Sequence, residues 1–218
     1  MSYNKTETDN ILKIYNKIKP EIIKRLRELE NNFLTGNDED ILAEMTFCIF
    51  TPQSKAKKCW ESVCNIKSEG FLTKGTTENI LNCMDGVRFK YKKSEYAYSL
   101  RNQFLKNGKL EIKKFLENFN NAFETREWLV KNIKGYGYKE ASHFLRNIGF
   151  GKNLAILDRH ILKNMILLNI IKEIPKSLNK KNYVELEKKL GVFSEKENIP
   201  MDHLDLLLWY KEAGEIFK

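Results

Sequence analysis

Apolar residues recur three and four positions apart along nearly the whole chain, and runs alternating at every second position are scarce. Only four prolines interrupt it, at positions 20, 52, 175 and 200. Such a chain is expected to fold as helices packed on helices. In "NDEDILAEMTFCIF", Ile41, Leu42, Met45, Cys48 and Ile49 fall on one face, and Asn37 to Asp40 supply a cap and first-turn acid. Ile80, Leu81 and Met84 form a second stripe, Tyr96, Leu100 and Phe104 a third, and Trp128, Leu129 and Ile133 a fourth. "RHILKNMILLNII" and "NYVELEKKLGVF" read as further helices, and the last helix places Leu204, Leu207 and Leu208 on a core face. No fixed-period repeat and no Gly/Ser linker divides the 218 residues, so the expectation is one all-α domain or two small lobes.

Lys and Arg number 38 against 29 Asp and Glu, a net charge of +9 that favours a polyanionic partner, nucleic acid first and anionic membrane second. No stretch approaches the ~20 consecutive apolar residues of a membrane span. The N-terminus also lacks an apolar signal core, so the chain is read as soluble and cytoplasmic. Cys48, Cys59, Cys64 and Cys83 lack the close paired spacing of a zinc knuckle and are expected to be buried thiols.

The chemistry concentrates in "NIKGYGYKEASHFLRNIGFGKNLAILDRHIL", residues 132 to 162. Gly135 and Gly137 flank one tyrosine between two helical runs. Glycine there permits a tight turn, and the orphan amides at the next helix start can hold a phosphate. For the two glycines alone, a plain tight connection between packed helices is the better reading. Lys139 stands in the first turn, where the helix field disfavours a cation and favours the free, nucleophilic amine. Asp158 follows "LAIL" nineteen residues after Lys139, far enough for a helix and a returning loop. It can cap the next helix, and its carboxylate can stabilise a cationic sugar transition state or move a proton.

This order of parts resembles the helix-hairpin-helix superfamily of DNA base-excision glycosylases, and most closely the type 2 8-oxoguanine DNA glycosylase/lyases. "IKGYGYKEASHFLRNIG" followed by "AILDRHIL" matches that signature almost throughout, and the likeness weakens in the first ~30 residues and over 170 to 200. The resemblance implies a two-lobed fold with the active-site cleft between lobes. Residues 38–150 would form the middle lobe ending in the hairpin, and 1–37 with 151–218 the second. It implies a monomer that flips 8-oxoguanine out of double-stranded DNA. Lys139 would attack C1′ and leave a Schiff base, Asp158 would assist base departure, and β-elimination would nick the strand. Gly135 and Gly137 would hold the backbone, with a monovalent cation possible at the hairpin carbonyls and no other cofactor. Gln53 in "FTPQSKA" matches the duplex wedge; Phe89, Trp209 and the terminal Lys218 match the base pocket. A loop or capping role for Gln53, and core packing for Phe89 and Trp209, stay open.

Endonuclease III-like members carry four C-terminal cysteines for an iron–sulfur cluster, and no cysteine follows Cys83 here. His143 and His160 are read as packing or local hydrogen-bonding residues. "RFKYKKSEY" suits phosphate contacts or a solvated helix face. Two rival functions remain at this level: the same mechanism on another lesion such as an oxidised pyrimidine, and a non-catalytic helix-hairpin-helix DNA-binding module.

Overall fold

Asn37 opens the helix around which one half of the molecule is built. Its side chain accepts the Asp40 N–H at 3.0 Å while Asp40 Oδ2 accepts the Asn37 N–H at 2.8 Å, a reciprocal capping box. The helix that follows, α2 (Asp38–Phe50), is buried at every position from Ile41 to Phe50, Glu44 included. The single apolar face expected from its spacing is therefore too narrow: α2 is wrapped by neighbours on all sides.

The structure, a computed structural model, describes residues 3–218. Among them run α1 (Lys5–Thr35), α2, α3 (Ala56–Ser68), α4 (Phe71–Lys74), α5 (Thr77–Asn82) and α6 (Lys90–Phe104). A two-residue β-hairpin, β1 (Leu105–Lys106) with β2 (Lys109–Leu110), interrupts them. Then come α7 (Ile112–Leu116), α8 (Ala122–Asn132), α9 (Tyr138–Asn147), α10 (Arg159–Leu167), α11 (Lys180–Lys196) and α12 (Met201–Ala213). None of these helices is long and apolar enough to cross a membrane. Pro20 is carried inside α1, although proline lacks the N–H that a helix interior uses. The helix expected through Ile171 stops at Leu167. There Asn169 turns into the left-handed region (φ 57°), and the Ile170 and Ile171 amides fold back onto the Met165 carbonyl.

Two hydrophobic cores form. The first gathers α2 to α9 around Phe47, Phe50 and Phe144, and the second gathers α10 to α12 with the N-terminal half of α1 around Tyr183 and Phe193. The chain crosses between them more than once. Helix α1 gives Ile11, Tyr15, Ile18 and Ile22 to the second core and its far-end Phe33 to the first, while Phe217 returns to pack on the first. Cys48 and Cys59 are buried and Cys83 is partly so, whereas Cys64 is exposed, against the expectation for it. Cys64 lies on the solvent side of α3, whose buried positions are Cys59, Ser62, Val63 and Ile66.

Candidate active site

The hairpin between α8 and α9 is pinned by its middle residue. Tyr136 is buried, and its hydroxyl donates to the Met45 carbonyl of α2 at 3.0 Å, while its N–H closes the turn onto the Ile133 carbonyl at 3.1 Å. The two glycines serve different needs. Gly135 has φ +89°, and a Cβ there would stand 2.6 Å from Tyr96 Cδ2, so both backbone and space require glycine. Gly137 has φ −104°, outside the left-handed region, and a Cβ would meet only Glu140 Oε2 at 3.1 Å. Gly135→Ala should cost about 1–3 kcal/mol in denaturant unfolding and Gly137→Ala well under 1. Equal losses would contradict this division.

The Gly137 N–H donates to Glu140 Oε2 at 3.0 Å. That amide is spent on the helix's own cap. The other oxygen of Glu140 lies 3.5 Å from Lys139 Nζ, so one acid caps α9 and steadies the amine. Lys139 is the second residue of α9, and its side chain is 22% exposed: neither freely solvated nor sealed in the core.

Asp158 caps α10 as its position suggested. The His160 and Ile161 amides both donate to Oδ1, at 2.8 and 2.9 Å, so neither bond uses Oδ2. Lys139 belongs to a helix of the first core and Asp158 opens a helix of the second; Asp205 of α12 is a buried carboxyl. Burial raises Asp205 to about 6; Arg146, with Nη2 3.4 Å away, pulls it down, Asp158 pushes it up and Lys139 pulls it down.

Lys218 shares the Phe47 ring with His143 of α9, its ammonium 5.4 Å and the imidazole 5.5 Å from that ring. The terminal lysine is 8% exposed, ion-paired with Glu44, and stacked over Trp60 with Nζ 3.2 Å from the ring centroid. Burial lowers its pKa and Glu44 opposes the shift. Lys139 and Lys218 both bear on the buried Cys48 thiol, whose pKa burial pushes well up. Trp209 is half-buried, edge-on to His160 with centroids 5.0 Å apart, and its indole N–H has no hydrogen-bond partner among the described residues. It therefore flanks the α10 start that Asp158 caps. His143 is buried edge-on to Phe47 at 5.5 Å, and burial holds its pKa well below the usual histidine value.

Gln53 and Phe89 lie on the surface. Both are non-glycine residues in the left-handed region, at φ 57° and 58°, and Phe89 is 58% exposed. Their loops are tied together: the Arg88 N–H donates to Ser54 Oγ at 2.9 Å. Core packing, the bland alternative for Phe89, is thereby excluded.

Glu44, Trp60 and Asp205 were not singled out from the sequence. Glu44 and Asp205 had one available signal: each is a lone acid inside a helical run that is otherwise apolar, "ILAEMTF" and "HLDLLLW". An acid on a helix buried all round needs a cationic partner. Those partners are Lys218 and Arg146.

A mostly helical molecule built on two cores, with a glycine hairpin leading into the helix that carries Lys139, has the fold of the helix-hairpin-helix glycosylase class. A family model described as "8-oxoguanine DNA glycosylase" matches residues 22–199, and the chain belongs to that family. It is 48% identical over 210 residues to the "8-oxoguanine DNA glycosylase/AP lyase" of Fusobacterium nucleatum, covering 96% of this chain and 97% of that one. The corresponding protein of Methanocaldococcus jannaschii is 41% identical, with 92% and 93% covered. Among solved structures, the M. jannaschii glycosylase/lyase in complex with a 15mer DNA containing 8-oxoguanine superposes with a TM-score of 0.84. It shares 37% identity over 97% of this chain and 99% of that one. The Thermotoga maritima 8-oxoguanine DNA glycosylase gives 0.83 at 32% identity, covering 97% and 98%.

Proposed function

We propose that this chain removes 8-oxoguanine from double-stranded DNA and then nicks the strand as a lyase. The observation that carries the reading is the order of parts on the folded chain: a hairpin pinned by Tyr136, Lys139 in the first turn of the helix it opens, and Asp158 at the start of α10 with neither cap bond using Oδ2. The two cores act as lobes, and the target nucleotide is flipped between them because C1′ cannot be reached inside the stack. Lys139 Nζ, as free amine, attacks C1′; the glycosidic C–N bond breaks and the base leaves with a proton. The amine's proton passes toward that base, with Asp158 Oδ2 as the acid–base group facing the reaction. Opening of the sugar ring gives a Schiff base. Loss of a C2′ proton then expels the 3′ phosphate, which is the nick.

Gln53 is the wedge that fills the vacated stack, with Phe89 beside it. Trp209 and Lys218 line the base pocket, the tryptophan offering its unpaired indole N–H as a donor. The hairpin residues Gly135 and Gly137 bring the DNA backbone to the start of α9. A monovalent cation there would be held by main-chain carbonyls. The Ile133 and Gly137 carbonyls each accept one hydrogen bond, at 3.1 and 3.0 Å, and keep a second lone pair for such an ion. The working unit of this scheme is a monomer in the cytoplasm, bound to the nucleoid through its DNA substrate.

Single-turnover excision from otherwise identical duplexes carrying 8-oxoguanine or thymine glycol tests the substrate. Faster release of 8-oxoguanine is expected; equal or faster release of thymine glycol would move the assignment to oxidised pyrimidines. Asp158→Asn should slow base release by about 10²–10³-fold with DNA affinity kept, because asparagine still caps α10. A parallel loss of affinity would make Asp158 a structural cap only.

A further inference from the structure

Helix α6 begins with Lys90, Tyr91, Lys92 and Lys93, and the last of these is turned inward, at 6% exposure. Its ammonium donates to the Phe50 and Pro52 carbonyls, both at 2.7 Å, and to Ser54 Oγ at 3.2 Å. An ammonium has three donors, and all three are spent on one loop. Ser54 Oγ in turn accepts the Arg88 N–H at 2.9 Å, so the same bonds reach the turn before Phe89. At these anchors stand Gln53 and Phe89, two of the five non-glycine residues in the left-handed region among the described residues, the other three being asparagines. Left-handed backbone at such residues persists only where the surroundings over-determine it. A lysine desolvated to bind bare carbonyls is such a constraint.

We propose that Lys93 is the positioning residue for the duplex wedge: it holds the Thr51–Ser54 loop so that Gln53 is presented preformed, and through Ser54 it fixes the Phe89 turn. The inference rests on the reading of Gln53 as the wedge. Preorganisation is what such an element needs, because ordering a loose loop at the moment of base-pair opening would subtract from the opening itself. Burial draws the Lys93 ammonium down to about 8; Cys59 on α3 opposes this, Lys139 on α9 and Arg88 add to it, and Glu140 opposes it. A cation kept there at that cost serves the three acceptors and not solvent.

Two measurements test the proposal. The first is amide hydrogen exchange on the free protein: Lys93→Met should speed exchange over residues 51–54 and 86–89 while α9 keeps its protection. The second is stopped-flow fluorescence of 2-aminopurine placed beside 8-oxoguanine in a duplex, with Lys139→Gln in every protein so that chemistry does not intervene. Opening should slow about tenfold in both Lys93→Met and Gln53→Ala, the effect of one charge-assisted hydrogen bond's worth of order. The double variant should be no slower than either single one. Ser54→Ala should show the same pattern more weakly, and it serves if Lys93→Met fails to fold. Unchanged exchange in the loop, unchanged opening, or slowing that merely follows a loss of DNA affinity would each overturn the positioning role. If the parent protein itself gives no fluorescence change, the flipping reading fails instead, and the exchange measurement still decides whether Lys93 holds the loop.

Discussion

Lys139→Gln is expected to reduce base release and strand nicking on the order of 10⁴-fold, while leaving DNA affinity and stability close to the parent values. Glutamine, one atom shorter, stays polar and removes the amine. The stability half of the prediction follows from position. Lys139 is the second residue of α9, where a cation opposes the helix dipole by roughly 0.3–1 kcal/mol, so its removal should be neutral or slightly favourable. Its ion pair with Glu140, at 3.5 Å and partly exposed, offsets little of that. Glu140 retains its cap on Gly137 in the variant. Activity and stability should therefore separate cleanly. A variant that lost activity only in proportion to lost folded protein would contradict the role given to the amine.

The largest effect on stability should come from Arg126→Met. The Arg126 guanidinium, on α8, meets Glu187, on α11, through two parallel bonds of 2.6 and 2.8 Å, with both side chains buried. It also donates to Ser142 Oγ at 3.1 Å and lies over the Phe123, Tyr138 and Tyr183 rings at 5.4, 5.3 and 5.7 Å. Glu187 additionally accepts the Ala155 N–H at 2.8 Å. Since α8 belongs to the first core and Tyr183 and Leu186 on α11 to the second, this pair joins the cores. Removing the cation leaves a buried carboxylate without its partner, so the unfolding free energy should fall by about 3–5 kcal/mol. Replacing Glu187 by Leu in the same chain should recover most of that loss, because no unpaired charge then remains. Urea unfolding of the single and double variants checks both statements. A single variant within about 1 kcal/mol of the parent would show that the pair is not a joint between the cores.

What was legible in the sequence was local. The helical class showed in the spacing of apolar residues, and the hairpin, the amine and the α10 cap lay within one 31-residue stretch whose order carries its meaning. Asn37 with Asp40 was likewise readable, because a capping box needs only neighbours. What was missed depends on residues far apart. Lys218 meets Glu44 across 174 positions, and Lys93 reaches Phe50 across 43. One charged residue in a basic chain looks like any other until packing removes its water. The narrow face assigned to α2 failed for the same reason: periodicity shows that one side is buried, but not that other helices cover the rest. Exposure of Cys64 and the early stop of α10 at Leu167 were decided by which side faced solvent and by one left-handed residue, Asn169.

The central claim is that the amine of Lys139 becomes covalently joined to the sugar of an 8-oxoguanine nucleotide. Borohydride reduction during reaction with an 8-oxoguanine duplex measures this directly, since it fixes a Schiff base as a stable protein–DNA adduct. The parent protein should yield the adduct, peptide mass analysis should place the nucleotide remnant on Lys139, and Lys139→Gln should yield none. Base released without any adduct, or an adduct on another residue, would contradict the account.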